Sequence, residues 1–489
     1  MTQTPIVGTT LPARLDAIRD ASSFDAAIIN AFDAFIRTAP EEDLYRINPY
    51  RYAARAHISE RQAIDLMLYA THAGVLEFNW GVLCPNCYAF ITSPGGLRAI
   101  QTQAHCDICS IDFGVVVDDN VEIAFMVAPA VRHIRFHNLD TLDLQEDWVS
   151  LFYSPSRFTD PEIPEQVKTL MLSSCRVPSG QHTHLNLKLQ KDARYVVLTP
   201  RQHAIANLYP VEGETTQHAA LDAFDGRFVP NNIPLADGDI QLDFHNRTGS
   251  PISIGVIIDP KTMPMTDVSP EAMRIGMAFM TPPSHFLTGK EIATSQVFRE
   301  LFRAESIPSD LGMAFKNVAF LFSDLKGSTS LYNRVGDINA YQIVREHFAL
   351  LRDIIAEFNG AIVKTMGDAV MASFANPLAA LEAAVVINRE IPNISGDAEA
   401  LILRIGVHSG PCIAVESNNN LDYFGQTVNI AARVENAAAA GEIVITEAIY
   451  NTPGAADIIS ASEITLTPDH AVLRGLDHEI AFYRLKRMA

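Results

Sequence analysis

The stretch at residues 318–329, VAFLFSDLKGST, decides the fold of the C-terminal part of the chain. Its apolar start predicts a buried strand, which ends at the carboxylate of Asp324. Three small residues then open a predicted helix: Gly327, Ser328 and Thr329. Backbone N–H groups at a helix N-terminus can approach a phosphate closely, so the stretch predicts a phosphate-binding turn beside a carboxylate.

A second stretch, residues 361–374 (AIVKTMGDAVMASF), predicts a β-hairpin that turns at Gly367 and carries the carboxylate of Asp368. Carboxylates at neighbouring strand ends, here Asp324 and Asp368, suit hard divalent cations that prefer oxygen ligands. Each aspartate alone is also typical of a helix cap or a turn. Together the two stretches favour a two-metal site for a nucleoside triphosphate.

A third stretch, residues 421–433 (LDYFGQTVNIAAR), leads from a polar loop into an alanine-rich helix. Asn429 and Arg433 are four residues apart and therefore share one face of that helix. An amide and a guanidinium on one face can both reach a phosphate or a sugar.

Six motifs, in order, make residues 313–489 resemble the catalytic domain of class III nucleotidyl cyclases. The motifs are FSDLKGST, VKTMGDAVMASF, LRIGVHSGP, DYFGQTVNIAAR, GEIVIT and LRGLDHEIAFYRL. The resemblance implies an α+β catalytic domain with the ferredoxin-like class III cyclase fold. It also implies an adenylate cyclase that converts ATP to 3′,5′-cyclic AMP and pyrophosphate when the ribose 3′-hydroxyl attacks the α-phosphate.

The resemblance assigns roles to the residues of these motifs. Asp324 and Asp368 would bind two Mg²⁺ or Mn²⁺ ions. Lys364 and Asp422 would select the purine, and Arg474 stands where the family usually has a lysine facing the terminal phosphates. Lys364 can only donate hydrogen bonds and Asp422 can only accept them, which matches the donor and acceptor of adenine and opposes guanine.

Asn429 and Arg433 match the positions that act on the transition state in class III cyclases. In that family one domain supplies the aspartates and another supplies the asparagine and arginine. Because this chain has one copy of each motif, the resemblance implies a homodimer with active sites at the subunit interface.

The charge and cysteine content narrow the class of protein. The 489-residue chain has 57 Asp+Glu against 37 Lys+Arg, a formal net charge of −20, which disfavours nucleic acid and anionic membranes as partners. The sequence carries neither a leader pattern nor an uninterrupted apolar run of about 18 residues. Six cysteines, four of them in CxxC pairs, indicate a reducing compartment, so we expect a cytoplasmic protein without a membrane span.

Two CxxC pairs predict a closed structural zinc site. Its ligands would be Cys84, Cys87, Cys106 and Cys109. Reduced cysteine pairs in turns and a redox role are the alternatives, and His105 is a candidate replacement ligand or supporting residue.

The chain divides into five predicted segments. Residues 1–80 are helical and winged-helix-like, with Ser59 a candidate N-cap and Gly74 a helix end, and 81–114 form a zinc ribbon. Residues 115–280 predict a β-rich, sandwich-like regulatory domain, with strands that include 115–117 and 121–127. Residues 281–312 predict a linker with a short amphipathic helix, which either transmits rotation between protomers or is a packed connector. Residues 313–489 form the predicted catalytic domain.

Two features of the N-terminal segments leave alternatives open. Arg46, Arg51, Arg55 and Arg61 add local positive charge, so a DNA-binding role stands beside a solvated face or a partner contact. His182 and His184 share one strand face, which admits a second metal site or a surface histidine pair. The resulting alternatives to an active cyclase are a catalytically weak nucleotide-binding sensor and a zinc-containing DNA-binding regulator.

Overall fold

The chain forms two compact units: an N-terminal unit (residues 1–115 and 120–287) and a C-terminal unit (116–119 and 288–489). The computed structural model describes residues 10–92, 100–160, 162–191, 193–199, 203–259, 270–302, 313–326, 336–391, 401–417, 420–473, 477 and 479–487.

Helices open the N-terminal unit, and their ends follow from local sequence signals. The helices are α1 (Thr10–Ala21), α2 (Ala26–Thr38), α3 (Pro49–Ala56) and α4 (Glu60–His72). Ser59 is the N-cap of α4, as the sequence predicts, and Gln62 completes a reciprocal capping box with it. Gly74 adopts a φ of 76°, a conformation that glycine permits, and the chain then enters the first strand.

Two small sheets follow these helices. They are built from β1 (Leu76–Leu83), β2 (Phe90–Thr92), β3 (Gln103–Cys106), β4 (Ile111–Gly114) and, after the helical turn α5 (Val117–Asn120), β5 (Val121–Val127). An antiparallel sheet has the order β2-β1-β5, and β3 pairs with β4 as a hairpin.

The structure differs from the sequence-based expectation at residues 115–127. The strand predicted at 115–117 does not form: residues 115 and 116 are irregular, and Val117 begins α5, where the Asp118 carboxylate accepts the backbone N–H groups of Lys316 and Asn317. The following strand, β5, pairs with β1 in the first sheet and takes no part in the sandwich. Helices α6 (Leu144–Phe152) and α7 (Ile163–Lys168) come before the sandwich begins at Met171.

Two sheets then pack face to face around one apolar core, which is the sandwich expected from the sequence. Their strand orders are β12-β9-β8-β14-β6 and β11-β10-β13-β7. The strands are β6 (Met171–Val177), β7 (His182–Leu189), β8 (Tyr195–Thr199), β9 (Ala204–Pro210), β10 (His218–Phe224), β11 (Arg227–Val229), β12 (Asn232–Leu235), β13 (Gly238–Asn246) and β14 (Ile252–Ile258). Helix α8 (Pro270–Met280) ends the unit's regular structure.

The C-terminal unit is one mixed sheet with helices on both faces. Its elements are α9 (Gly289–Ala293), α10 (Gln296–Leu301), β15 (Met313–Leu325), α11 (Asp337–Glu357), β16 (Gly360–Met366), β17 (Ala369–Phe374), α12 (Pro377–Glu390), β18 (Leu403–Ser417), β19 (Asn420–Phe424), α13 (Gln426–Ala437), β20 (Glu442–Thr446), α14 (Glu447–Tyr450), α15 (Ala455–Ala461), β21 (Ile464–Val472) and β22 (Glu479–Arg487).

The sheet order is β16-β17-β15-β18-β20-β22-β21, with β19 paired to β18, and only the β18–β20 pair is parallel. Helices α11, α12, α14 and α15 share one apolar core with the strands. Helix α13 packs through Ile430 and Val434 in a second cluster with Val444 and Phe482. Strand β18 and helix α13 approach each other closely at Gly406. A Cβ at this position would clash with the backbone nitrogen of Glu435 in α13, so only glycine fits. This arrangement is the α+β sheet that the sequence predicts.

Candidate active site and cysteine cluster

Asp324 and Asp368 lie at neighbouring strand ends of the C-terminal sheet. Asp324 is the penultimate residue of β15, and Asp368 stands in the β16–β17 turn, which Gly367 enters with a φ of 67°. The register pairs Ser323 with Val370, which places both carboxylates at the same edge of adjacent strands. Asp368 Oδ2 is buried without a hydrogen-bond partner among the described residues. A buried free carboxylate oxygen is the kind of ligand that a hard cation takes.

Arg404 stands directly opposite Asp324 in the β15–β18 register. Its Nη2 donates to Asp324 Oδ2, and its Nε lies 3.3 Å from Glu435 Oε1. The hydrogen bond to Asp324 raises the pKa of Arg404, and burial raises the pKa of Glu435 to about 7. Arg404 has no role predicted from the sequence, although its place in the LRIGVHSGP motif, on a strand next to β15, is a usable signal. The Arg404 guanidinium therefore places a fixed positive charge beside the carboxylates of Asp324 and Glu435.

His347 is a second group that the sequence analysis does not single out. It lies on α11, is fully buried, and has no hydrogen-bond partner for either ring nitrogen among the described residues. Burial lowers the pKa of His347 to about 4, partly offset by the Asp368 carboxylate. The imidazole is therefore neutral near pH 7 and adds no charge beside Asp368.

Lys364 and Asp422 form an ion pair although 58 residues separate them. Lys364 Nζ lies 2.7 Å from Asp422 Oδ2, and the Lys364 side chain is 42% exposed against 13% for Asp422. Lys364 belongs to β16 and Asp422 to β19, so two hairpins supply one pair. The pair presents donors and an acceptor side by side at the surface of the unit.

Asn429 and Arg433 occupy the face of α13 that points away from its own sheet. The helix buries Thr427, Ile430, Ala431, Val434 and Glu435. Asn429 is exposed and Arg433 is half-buried, and helical geometry puts both opposite that buried face. Arg433 forms no ion pair or side-chain hydrogen bond with another described residue.

Four of the predicted substrate-binding residues lie outside the described residues, so their placement is left as predicted. They are Gly327, Ser328, Thr329 and Arg474.

Four cysteines of the N-terminal unit converge as the sequence predicts. The Sγ atoms of Cys84, Cys87, Cys106 and Cys109 all lie within 4.8 Å of one another. The Cys87 and Cys106 sulfurs are 3.7 Å apart, and four sulfurs about 2.3 Å from a tetrahedral zinc ion are separated by about 3.8 Å. The donor set and its size therefore fit zinc.

The cluster consists of two CxxC turns, which we call knuckles: Cys84 to Cys87 is the first and Cys106 to Cys109 the second. Each knuckle is held by different contacts. The Asn86 backbone N–H points to Cys84 Sγ at 3.4 Å, as in metal-binding turns. Beside the second knuckle, Arg194 and Asn207 donate to the carbonyls of Ile108 and Asp107.

Two histidine interpretations can be compared with the structure. His105 is not among the converging side chains, because its ring pairs with Asp112 at 2.8 Å. On the sandwich, His182 contacts the ring of His245. Among the described residues only the cysteine cluster brings three or more metal-ligating side chains together, so the His182–His184 metal site gains no support.

None of the helices in the described ranges is long and apolar enough to cross a membrane.

The C-terminal unit is similar to known cyclases. Residues 313–483 match the family model described as adenylate and guanylate cyclase catalytic domain. Adenylate cyclase 2 of Rhizobium meliloti (strain 1021) is 33% identical over 129 residues, which cover 24% of this chain and 36% of that protein. Receptor-type adenylate cyclase GRESAG 4.1 of Trypanosoma brucei brucei is 26% identical over 208 residues, 34% of this chain and 16% of that protein. The chain therefore spans well under half the length of these curated relatives.

Among solved structures, the crystal structure of the adenylyl cyclase CyaB from P. aeruginosa matches at 22% identity with a TM-score of 0.32. That match covers 37% of this chain and 97% of that chain.

The N-terminal unit matches a different family model. Residues 10–300 match the model described as a family of unknown function, DUF5939. Because that match covers more than half of the sequence, the chain belongs to the DUF5939 family, and an adenylate and guanylate cyclase catalytic domain follows the family segment.

Proposed function

We propose that this protein is an adenylate cyclase that forms 3′,5′-cyclic AMP and pyrophosphate from ATP. The observation that carries the proposal is the Lys364–Asp422 pair, brought to 2.7 Å from two different hairpins of the sheet whose strand ends carry Asp324 and Asp368. An ammonium donor beside a carboxylate acceptor complements the ring nitrogen and the amino group of adenine. Guanine would oppose the carboxylate with a carbonyl oxygen, which costs about 1–3 kcal/mol when buried.

The residues at the strand ends fit divalent cations. Asp324 and Asp368 offer carboxylate oxygens only, and Mg²⁺ or Mn²⁺ complete such sites with waters and substrate phosphates. When bound, two such ions would favour ionisation of the ribose 3′-hydroxyl and neutralise charge on the α-phosphate and the leaving pyrophosphate. Arg404 already donates a hydrogen bond to Asp324, so the metal ions would have to displace this contact.

The protein's own groups orient the reaction. The 3′-oxygen forms a bond to the α-phosphorus, the bond to the β-phosphate bridging oxygen breaks, and the hydroxyl proton leaves to solvent. Arg433 would stabilise the charge that develops on the phosphate oxygens, and Asn429 would orient the ribose. Arg474, with Gly327, Ser328 and Thr329, would bind the phosphates.

A homodimer is part of the proposal. Asn429 and Arg433 face away from their own sheet, so the carboxylates of a second copy are the natural partners of these side chains. Close to them, the paired residues Ile413 and Phe424 are 46% and 53% exposed, an apolar area suited to a subunit contact. The second copy would supply the missing half of each active site.

We assign the N-terminal unit to regulation, with a structural zinc ion in the Cys84, Cys87, Cys106 and Cys109 cluster. The winged-helix interpretation of residues 1–80, the zinc-ribbon interpretation of 81–114 and the five-segment division are part of this proposal. So is a cytoplasmic location, for which the lack of a disulfide among the six cysteines, all of them within the described residues, argues.

No specific observation favours the DNA-binding alternative. Arg46 and Arg51 donate to backbone carbonyls within the unit, and Arg55 pairs with Asp43.

The Lys364–Asp422 pair, which we call the purine pair, can be changed so that its hydrogen-bond donor and acceptor trade places. This exchange tests the proposed activity. We expect the wild-type protein with Mg²⁺ or Mn²⁺ to form cyclic AMP from ATP at least about tenfold faster than cyclic GMP from GTP. The variant Lys364→Glu/Asp422→Asn places an acceptor and a donor in the reverse order. Its ratio of kcat/KM for ATP over GTP should fall by about a hundredfold.

Initial rates with each triphosphate, and chromatographic identification of the product, measure this ratio. The control is Arg389→Glu/Glu390→Arg, which reverses an ion pair on α12 and should leave the ratio unchanged. Equal wild-type rates with ATP and GTP would overturn the assignment of the pair, and no cyclic nucleotide with either would overturn the proposed reaction.

A further inference from the structure

Two short helices, α9 and α10, come before the catalytic strand and make polar contacts with both hairpins that carry the purine pair. On β19, Arg299 Nη2 donates to the backbone carbonyl of Leu421, the residue before Asp422. On β16, Gln296 Oε1 accepts the backbone N–H of Ile362 at 2.8 Å. The six-residue helix α10 thus contacts both strands that carry the Lys364–Asp422 pair: β16, which carries Lys364, and β19, which carries Asp422.

The contact on β16 falls at an irregular point of that strand. The β16–β17 register shifts between Ile362 and Lys364, so the strand carries a bulge immediately before the lysine. A bulge interrupts the ladder and sets the direction of the next side chain. The Gln296 side chain fixes the backbone N–H at the start of this bulge, and therefore helps to set where the Lys364 ammonium points.

The contact on β19 is anchored on both sides. Arg299 also donates through Nη1 to the carbonyl of Ala293 at 3.3 Å, and its guanidinium lies 5.8 Å from the ring centre of Tyr423. The buried hydroxyl of Tyr423 donates to the same Ala293 carbonyl at 3.1 Å. Residues 421 and 423, the two neighbours of Asp422, are thereby both tied to the α9–α10 segment.

We propose that Arg299 and Gln296 are positioning residues for purine discrimination: α10 holds Lys364 and Asp422 at the separation that matches adenine. Neither side chain needs to touch the nucleotide. A change in the position of α9–α10 would therefore alter nucleotide affinity and ATP-over-GTP preference, and would leave the metal-binding carboxylates on β15 and the β16–β17 turn in place. The inference rests on the proposed function, since it gives the Lys364–Asp422 pair the task of purine recognition.

The test compares Arg299→Ala and Gln296→Met with a control, Arg389→Ala. The control removes an arginine ion pair to Glu390 on α12 and leaves Glu300, which accepts a hydrogen bond from the Gln296 amide, unchanged. We expect Arg299→Ala to raise KM for ATP and to lower the ATP-over-GTP ratio of kcat/KM by about tenfold each, with kcat changed less than about threefold. Gln296→Met should give the same pattern at about threefold, because only one of the two hydrogen bonds that it removes, the neutral one to Ile362, reaches a hairpin, and the other, to Glu300, lies within α10.

Arg299→Lys keeps a cation near the Leu421 carbonyl and should recover part of the lost ratio, which a general loss of packing would not produce. Thermal unfolding by circular dichroism establishes that each variant is folded. If Arg299→Ala does not fold, the Gln296→Met and Arg299→Lys variants decide. An unchanged ATP-over-GTP ratio in the folded variants overturns the proposal, as does a fall in kcat with KM and the ratio preserved.

A binding measurement separates this inference from the proposed reaction. Displacement of a fluorescent ATP analogue by ATP and by GTP reports purine preference without turnover. If the wild-type protein prefers ATP in binding but forms no cyclic nucleotide, the proposed reaction fails, and a binding ratio that falls in Arg299→Ala still supports the positioning role. A wild-type protein that binds ATP and GTP equally overturns the positioning role, since there is then no preference to set.

Discussion

Asp324→Asn is expected to lower the rate of cyclic AMP formation by about three to four orders of magnitude without unfolding the protein. The amide keeps the shape of the side chain but removes the charge that would hold the metal ions. Stability should change little, because Asp324 is only partly buried and its loss leaves Arg404 paired with Glu435 at 3.3 Å. The rate is measured with saturating ATP over a series of Mn²⁺ concentrations.

A matched carboxylate tells a specific loss from a general effect of charge. Asp457 is exposed on α15, and Asp457→Asn should retain the wild-type rate. If Asp324→Asn kept more than about a tenth of the wild-type rate, Asp324 would not be a metal ligand of the reaction.

Loss of the cysteine cluster is expected to produce the largest change in stability. Metal bound at structural four-cysteine sites contributes folding free energy directly, with apparent values of about 10 kcal/mol in small domains. Protein purified without chelator should contain about one zinc per chain. Cys87→Ser, or removal of the metal, should lower the thermal midpoint of the N-terminal unit by more than about 10 °C.

The tryptophans make this measurement selective. Both tryptophans of the chain, Trp80 and Trp148, are buried in the N-terminal unit, so their fluorescence reports the unfolding of that unit alone. Cys175→Ser is the control, because that cysteine lies on β6 outside the cluster. A zinc content well below one per chain, or an unchanged fluorescence midpoint in Cys87→Ser, would contradict the zinc site.

Sequence patterns were sufficient where the decisive signal is local. The apolar run that ends at Asp324, the hairpin that turns at Gly367 and the N-cap at Ser59 are each encoded within a few residues, and the structure confirms these elements. The cysteine spacing predicted the convergence of the four thiols, since two short knuckles leave few other geometries. The ordered motifs likewise identified the cyclase domain that the family model matches.

Features that depend on topology lay beyond the sequence patterns. The 2.7 Å contact of Lys364 with Asp422 exists only because the sheet order brings β16 and β19 to one place, and the pairing of Arg404 with Asp324 depends on the β15–β18 register. The sequence of the linker predicted one amphipathic helix, but the structure has two, α9 and α10. Ser295 interrupts it, because its side chain caps the start of α10 by accepting the Phe298 N–H.

The region before Met171 differs from the predicted β-rich segment. Its apolar runs at 115–117 and 121–127 predicted strands of the sandwich, yet Val117 begins α5 and β5 is paired with β1, and two helices, 144–152 and 163–168, follow. A short apolar run fits a buried strand and a buried helix equally well by periodicity. Long-range pairing decided between them.

Complementation between two inactive variants tests the central claim most directly. Asp324→Asn removes a carboxylate of the sheet. Arg433→Ala removes a guanidinium from the face of α13 that points away from that sheet. If each site takes its aspartates from one copy and its arginine from the other, a heterodimer of the two variants contains one intact site. We expect each variant alone to be inactive, and co-expressed protein with randomly mixed subunits to form cyclic AMP at about a quarter of the wild-type rate. A purified heterodimer as inactive as its two parents would contradict an active site shared between two copies of this chain.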